Sequence, residues 1–270
     1  MKKLAADTWA QTRRWLVHLR QDRMALTLGI IQPLILLALV GPLLDHVVRD
    51  ASQVEELRRL LRERFATTDY LSFLFSGIAV FTVLVNSILG GIPIVFDRET
   101  GFMEKILAAP VSRLSIVLSR FVYVVLYSCL QLGIISLVGA LLGVRPENPW
   151  LAGGTLLLFT VLLSAGITVL SLALAFVFPH HSIFFAITGF LLSPLLVLSP
   201  TFVARSSMPA WMSAAATFNP MTYAIEPIRA AFIVPGGGQA ALYLHCALAL
   251  LAFDIVCVAL AVRTIKRRLA

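Results

Sequence analysis

Residues 96–113 read FDRETGFMEKILAAPVSR and form a charged island between two long apolar segments. The interior of a membrane would reject so many charges, whereas a segment placed in water holds them without cost. The charged residues are Asp97, Arg98, Glu99, Glu104, Lys105 and Arg113. The island is therefore predicted to lie outside the membrane, between two segments that cross it.

A short amphipathic helix is predicted inside this island. Residues 100–107 can form two helical turns that place Phe102, Ile106 and Leu107 on roughly one face. Pro110 then ends the helix, because its ring removes a backbone donor and clashes with the preceding turn. From the residues alone, two interpretations stay open: an ordinary polar loop, or a docking element for a soluble partner.

The composition indicates an integral membrane protein. Hydrophobic residues make up 59% of the chain, charged residues only 13%, and the mean hydropathy is +0.90. Soluble domains contain about 25% charged residues, so a soluble enzyme is disfavoured. The three cysteines lie in apolar stretches without metal-ligand spacing or a disulfide framework.

The predicted fold class is an all-α integral membrane protein with six transmembrane helices. Residues 1–23 form a basic amphipathic helix on the membrane surface, with tryptophans at headgroup level. Residues 24–270 form the transmembrane domain, with spans at about 24–44, 70–95, 114–144, 150–178, 183–203 and 239–262.

Two connections outside the spans carry further predictions. Residues 45–69 are the most charged loop and are expected to contain an amphipathic helix on the far side of the membrane. Residues 205–238 are broken by prolines into stretches too short to span, which fits interfacial or re-entrant helices before the last span.

The distribution of basic residues predicts the orientation. Six spans place both termini and the island on one side, and that side carries 14 of the 22 Lys and Arg residues. The excess puts both termini in the cytoplasm and faces anionic lipid. The high isoelectric point is thereby explained without a nucleic-acid partner.

Few residues in this chain offer chemistry. None of the four lysines follows a glycine, so no phosphate-binding loop is present and the chain is not predicted to be an enzyme that holds ATP in that way. His180 and His181 lack a third ligand, and no metal site is predicted. Asp254 is the one acid inside a predicted span, where a structural role is favoured over a proton relay. Glu226 and Arg229 can form a local salt bridge, or act as a gate.

Several segments together resemble the membrane subunit, or permease, of ABC-2-type exporters. They are the basic N-terminal helix, Gln32-Pro33 in the first span, the island 96–113, and residues 208–232, MPAWMSAAATFNPMTYAIEPIRAAF. The resemblance covers nearly the whole chain and is strongest to the daunorubicin-resistance and nodulation-factor branch. The charged loop 45–69 is a departure from what that family leads one to expect.

The resemblance implies partners and cofactors. Two membrane subunits, identical or paralogous, would bind two cytosolic ABC ATPase subunits in the bacterial inner membrane. ATP and Mg²⁺ would be held by those partners, and no cofactor by this chain. The cargo would be lipid-like or amphipathic and drug-like.

The resemblance also implies roles for residues. The coupling loop 96–113 would contact the ATPase through Asp97, Arg98, Glu99, Gly101, Phe102, Met103, Lys105, Leu107 and Arg113. The outer gate or substrate path would use Asn219, Tyr223, Glu226 and Arg229.

Two other functions compete with this one. A proton-coupled secondary transporter would use Asp254 as its coupling acid, and the presence of a single membrane acid weakens that hypothesis. An intramembrane enzyme acting on lipid is weakened by the lack of a catalytic cluster. Co-purification with an ATPase subunit would favour the exporter.

Overall fold

The computed structural model describes residues 2–21, 23–43, 46, 70–108 and 112–269, and every regular element within these ranges is a helix. The helices are α1 Lys2–Gln21, α2 Arg23–Ile35, α3 Tyr70–Leu89, α4 Ile92–Glu99, α5 Phe102–Ala108, α6 Arg113–Leu142, α7 Pro149–Val177, α8 His181–Val197, α9 Ala210–Phe218, α10 Pro220–Ile233 and α11 Ala240–Leu269. A π-helical segment, Leu36–Val40, continues α2, and short 3₁₀ turns lie at Arg205–Ser207 and Pro235–Gly237.

Four apolar helices are long enough to cross a membrane: Tyr70–Glu99, Leu114–Leu142, Pro149–Val177 and Ala240–Thr264. Two shorter apolar helices, Thr27–Leu43 and His181–Val197, occupy the positions of the first and fifth predicted spans. The all-helical membrane class is thus confirmed.

Two of the predicted spans have different bounds in the structure. The predicted span at 70–95 is divided at Gly90-Gly91, so the charges of Asp97, Arg98 and Glu99 continue a helix and do not start a loop. The span predicted at 183–203 ends at Val197. The helix predicted at 45–69 lies outside the described residues.

The long helices divide into central and peripheral ones. In the most apolar part of each helix, 67% of the residues of α3 and 61% of those of α7 are buried, against 28% for α6 and 22% for α11. Helix α7 packs against α3, α6, α10 and α11 around one apolar core. This core includes Val83, Phe159, Leu163, Met221, Ile225, Cys246 and Leu250. The outward apolar faces of α6 and α11 suit a lipid environment.

Local signals in the sequence set the ends of α6 and α7. The Ser112 hydroxyl accepts a hydrogen bond from the Ser115 amide at 3.1 Å and caps α6. Gly143, with φ 114°, ends the same helix in a left-handed conformation that favours glycine. Asn148 caps α7 by accepting from the Leu151 amide at 3.1 Å. The short turn predicted between these two spans is therefore present.

Candidate functional site

Residues 92–108, which include most of the charged island, fold as two short helices that we call the elbow. Helix α4 runs to Glu99, and the chain then reverses at Gly101 into α5. Gly101 has φ +68°, a left-handed conformation that costs glycine little and other residues more. The predicted single helix over 100–107 is therefore a helix over 102–108, preceded by a turn.

The break between α3 and α4 is held against α7. The Gly91 amide donates to the Ser171 hydroxyl at 3.0 Å, and that hydroxyl donates to the carbonyl of Ile88. A Cβ atom on Gly91 would lie 2.6 Å from the Ser171 carbonyl oxygen, which is closer than real Cβ contacts. Only glycine lets α7 approach the chain this closely.

Arg98 ties the elbow to the end of α7. Its Nη1 donates to the carbonyl oxygens of Ala175 at 2.6 Å and Phe178 at 3.2 Å. The last carbonyls of a helix lack hydrogen-bond donors within the helix and carry partial negative charge. A guanidinium there donates the missing hydrogen bonds and also balances the charge. Arg98 is thus committed to an internal contact.

Glu99 ties the elbow to the start of α8. Its carboxylate accepts from the His181 amide at 2.8 Å and lies 2.8 Å from His181 Nδ1, with His180 Nδ1 at 3.5 Å. A carboxylate is favoured at a helix N-terminus, where unpaired amides carry partial positive charge. The ring of Phe96 also stacks on His181, with centroids 4.8 Å apart. The two histidines therefore form a turn that contacts the elbow at Glu99 and Phe96.

Helix α1 reaches the elbow through one ion pair. Arg14 Nη2 lies 3.0 Å from the Asp97 carboxylate, with both side chains largely buried. The Arg14 guanidinium also lies 5.0 Å from the ring centroid of Phe102. The N-terminal helix and the elbow, which the sequence assigned separately, are thus one connected unit.

The outer surface of α5 is exposed, as are Phe96, Glu99 and Thr100 of the same elbow. Phe102 is 39% exposed, and Glu104 and Lys105 are exposed. Met103 is only 6% exposed, because it packs with Ile94, Val95, Ile116, Leu172, Ala175 and Phe184. It therefore offers no surface to a partner. The side-chain predictions for Leu107 and Arg113 lie outside what the structure describes.

Asn219 lies at the joint between α8, α9 and α10. Its Oδ1 accepts from the Met221 amide at 3.0 Å and caps α10. Its Nδ2 donates to the carbonyls of Leu195 at 2.7 Å and Leu198 at 3.2 Å. Nearby, the Tyr223 hydroxyl donates to the Thr217 carbonyl at 2.8 Å. Both predicted gate residues hold the short helices in place.

Arg229 does not form the local salt bridge with Glu226 that its spacing allowed. It donates instead to the carbonyl of Pro200 at 2.6 Å, to Ser76 Oγ at 3.2 Å and to the Phe73 carbonyl at 3.4 Å. Its guanidinium also lies 3.5 Å over the Phe73 ring. Arg229 therefore fastens α10 to α3.

Burial shifts the pKa values of the two charged residues of α10 in opposite directions. Glu226 lies 4.0 Å from Arg205, and partial burial raises the pKa of Glu226 despite its cationic neighbours. Full burial lowers the pKa of Arg229 to about 9, which still leaves it charged at neutral pH.

Asp254 packs against α7 at Gly166. A Cβ atom on Gly166 would collide with Asp254 Oδ1, and Phe253 covers the same glycine. The Oδ1 atom is buried against the Gly166 backbone. This close packing on a glycine supports the structural role.

Sequence reasoning missed several partners of the elbow. Arg14, Ser171 and His181 are more than 75 residues from their elbow contacts, a separation across which periodicity and spacing carry no information. The one available signal was the adjacent pair His180-His181, but from sequence alone the pair indicated only a metal site without a third ligand.

Comparisons with known proteins identify the family of this chain. Residues 7–233 match the family model described as ABC-2 type transporter. The putative transport permease ycf38 of Cyanophora paradoxa is 34% identical over 83% of this chain and 73% of its own length. Its counterpart in Porphyra purpurea is 33% identical over 82% and 72%. The daunorubicin resistance ABC transporter permease protein DrrB1 of Streptomyces coeruleorubidus is 25% identical over 61% and 58%.

Proposed function

Because this chain belongs to the ABC-2 type transporter family, we propose that it is the membrane subunit of an ATP-driven exporter whose ATP is hydrolysed by two separate ABC ATPase subunits. The observation that carries the proposal is the elbow, a helical pair with an exposed outer face that is fixed to the membrane helices. ATP and Mg²⁺ bind to the partner subunits.

The contacts of the elbow suit the transmission of force. Arg98 links it to α7, Glu99 links it to α8, and Asp97 links it to α1. A push on α5 is thereby delivered to three helices at once. A floppy polar loop would dissipate the same push, which favours the docking interpretation over the ordinary loop.

The outer face of α5 provides the ATPase contact. Phe102 supplies the apolar anchor, since a few large side chains carry most of the energy of an interface. Glu104 and Lys105 set register and partner choice, because exposed charges contribute more to specificity than to affinity.

The chain crosses the membrane six times, with both termini in the cytoplasm of a bacterial cell. The shorter helices α2 and α8 complete the set of six, and α9 with α10 forms the re-entrant segment near the outer surface. Cysteine labelling of intact cells tests this arrangement. A cysteine at position 53 is labelled and one at position 104 is protected; the reverse pattern contradicts it. Position 104 is chosen because its side chain is exposed.

A second membrane subunit completes the export path. The apolar faces of α6 and α11 that this chain leaves unburied can contact such a partner. The cargo is amphipathic and lipid-like or drug-like, an assignment supported by the name of the Streptomyces relative, a daunorubicin resistance ABC transporter permease.

Substitution of the apolar anchor tests the proposal. Phe102→Ala lowers the affinity for the ATPase subunit by roughly 30-fold, corresponding to about 2 kcal/mol for an interface anchor. The control is Trp150→Ala, which removes another exposed aromatic residue at the far end of α6 and α7. Each variant is co-expressed with the ATPase, and the amount of bound ATPase and its hydrolysis rate are measured. Full binding and hydrolysis in Phe102→Ala would remove Phe102 from the interface.

A further inference from the structure

A large cavity lies between the N-terminal helix and the membrane helices. Its volume is about 940 Å³, and its walls come from α1 to α6 with one residue of α8. On α3 it extends from Phe81 to Leu89, roughly 12 Å along the helix axis. The elbow lines it with seven residues and shares Phe102 and Lys105 between the cavity and the outer face of α5.

The cavity contains an unusual cation. Arg120 of α6 is fully buried, and none of its three guanidinium nitrogens has a hydrogen-bond partner among the residues that the structure describes. Its guanidinium lies 3.4 Å over the ring of Trp15 and 5.7 Å from that of Tyr123. The aromatic rings hold one face of the ion, but they cannot accept its in-plane N–H groups.

The other charges in the cavity favour an anion as the missing partner. Arg14, Lys105 and Arg120 face a single carboxylate, Asp97, among the described lining residues. That carboxylate is already paired with Arg14 at 3.0 Å. A planar guanidinium with free N–H groups matches phosphate and carboxylate oxygens in a bidentate geometry.

The remaining walls suit an acyl or other apolar chain. From the cation, the cavity continues along apolar side chains of α2, α3 and α4 and reaches α8: Leu28, Leu36, Phe81, Val85, Leu89, Ile92 and Phe185. Trp15 lies on the basic amphipathic helix α1, whose composition places it at headgroup level. The cavity therefore has its cation at the membrane surface and its apolar walls further inside. This arrangement matches the anionic headgroup and the apolar tail of an amphiphile.

We infer that this cavity binds an amphiphile whose anionic headgroup pairs with Arg120 and whose tail lies along α3. The ligand is drawn from the membrane leaflet on which α1 lies. The inference rests on the proposed function for the membrane location, and it gives the exporter a binding site for anionic lipid-like molecules. It does not require an ATPase partner.

Fluorescence of Trp15 gives a direct readout, since this ring touches the cation. Trp9, Trp150 and Trp211 are all exposed and are replaced by phenylalanine, so that Trp15 alone emits. The full chain is placed in phosphatidylcholine nanodiscs that contain phosphatidylglycerol brominated near the ester end of its acyl chains. Brominated phosphatidylcholine at the same mole fraction serves as the neutral probe.

The expected result is stronger quenching by the anionic probe than by the neutral one. Arg120→Gln lowers the affinity of the site for the anionic probe by at least about tenfold, because a hydrogen-bonded charge is lost. Arg13→Gln is the matched control: it removes an exposed charge from α1, two residues from Trp15, without touching the cavity. It keeps the quenching, which excludes general attraction of anionic lipid to a basic helix.

Three outcomes would overturn the inference. One is equal quenching of the unsubstituted protein by the two probes, a comparison that stands even if Arg120→Gln fails to fold. Another is equal loss in Arg13→Gln and Arg120→Gln. The third is removal of the quenching by millimolar inorganic phosphate, which would assign the site to a free anion. Because no ATPase is present, binding here and failure of ATPase capture by the elbow are separate results.

Discussion

Gly91→Ala perturbs the joint between α3 and the elbow and nothing else. The backbone at Gly91 has φ −80° and ψ −21°, a conformation that alanine adopts readily. The new Cβ atom would lie 2.6 Å from both the carbonyl oxygen and the Oγ of Ser171. Ordinary contact begins at 3.4 Å, so α4 and α7 must separate by about 0.8 Å.

The cost of this separation is about 1–3 kcal/mol, the usual range for an overpacked site. A further loss of about 1 kcal/mol follows if the Gly91 amide no longer reaches Ser171 Oγ, now at 3.0 Å. For a chain of this size, each kcal/mol lowers the melting temperature by about 2–4 °C.

Thermal unfolding of the purified protein in detergent measures the effect against Gly133→Ala. Gly133 is a helical glycine on α6 with nothing within 4 Å of an added Cβ atom. Alanine there is expected to be neutral or to stabilise by up to about 1 kcal/mol. In Gly91→Ala, adding Ser171→Ala relieves only the contact with Oγ, because the carbonyl oxygen and carbon of Ser171 stay. A melting temperature for Gly91→Ala equal to that of Gly133→Ala would refute the close approach of α7.

Three further substitutions test the other joints. Arg229→Ala should destabilise the protein by about 3 kcal/mol or more in the same unfolding assay, because three acceptors lose a charged donor; a loss below about 1 kcal/mol would show that α10 is held by other contacts. Asn219→Ala should lose about 2–4 kcal/mol, whereas Asn219→Asp keeps the cap and recovers part of it; equal stability of the two variants would contradict the dual role. Asp254→Asn should retain ATP-dependent dye accumulation in inverted vesicles; loss of accumulation in a correctly inserted variant would favour the proton-coupled transporter.

Much of the helix pattern was predictable from sequence. Long apolar runs interrupted by glycine, proline and charge predicted α6, α7 and α11 to within a few residues at most ends. The caps explain this success, since Ser112 and Asn148 are local signals next to the helices they start. The division at Gly90-Gly91 was visible only as an irregular end.

The candidate site was less predictable because its contacts join distant parts of the chain. The sequence marked Asp97 and Glu99 as charged and exposed, but their partners Arg14 and His181 come from other helices. Met103 has the same apolar character as Phe102, and only the packing against α7 and α8 shows which of the two is buried. Charge and hydropathy identified the segment, while tertiary packing decided which side chains remain available.

The central claim is that the outer face of α5 contacts an ABC ATPase, and photo-crosslinking tests it most directly. A photoreactive amino acid replaces Glu104, whose side chain is exposed, and a second protein carries it at Trp150, beyond the 30 residues of α6. Each is co-expressed with the ATPase subunit, and the adducts are identified by mass spectrometry. We expect an adduct with the ATPase from position 104 and none from position 150. An adduct from position 150 alone, or none from position 104 while the ATPase is bound, would contradict it.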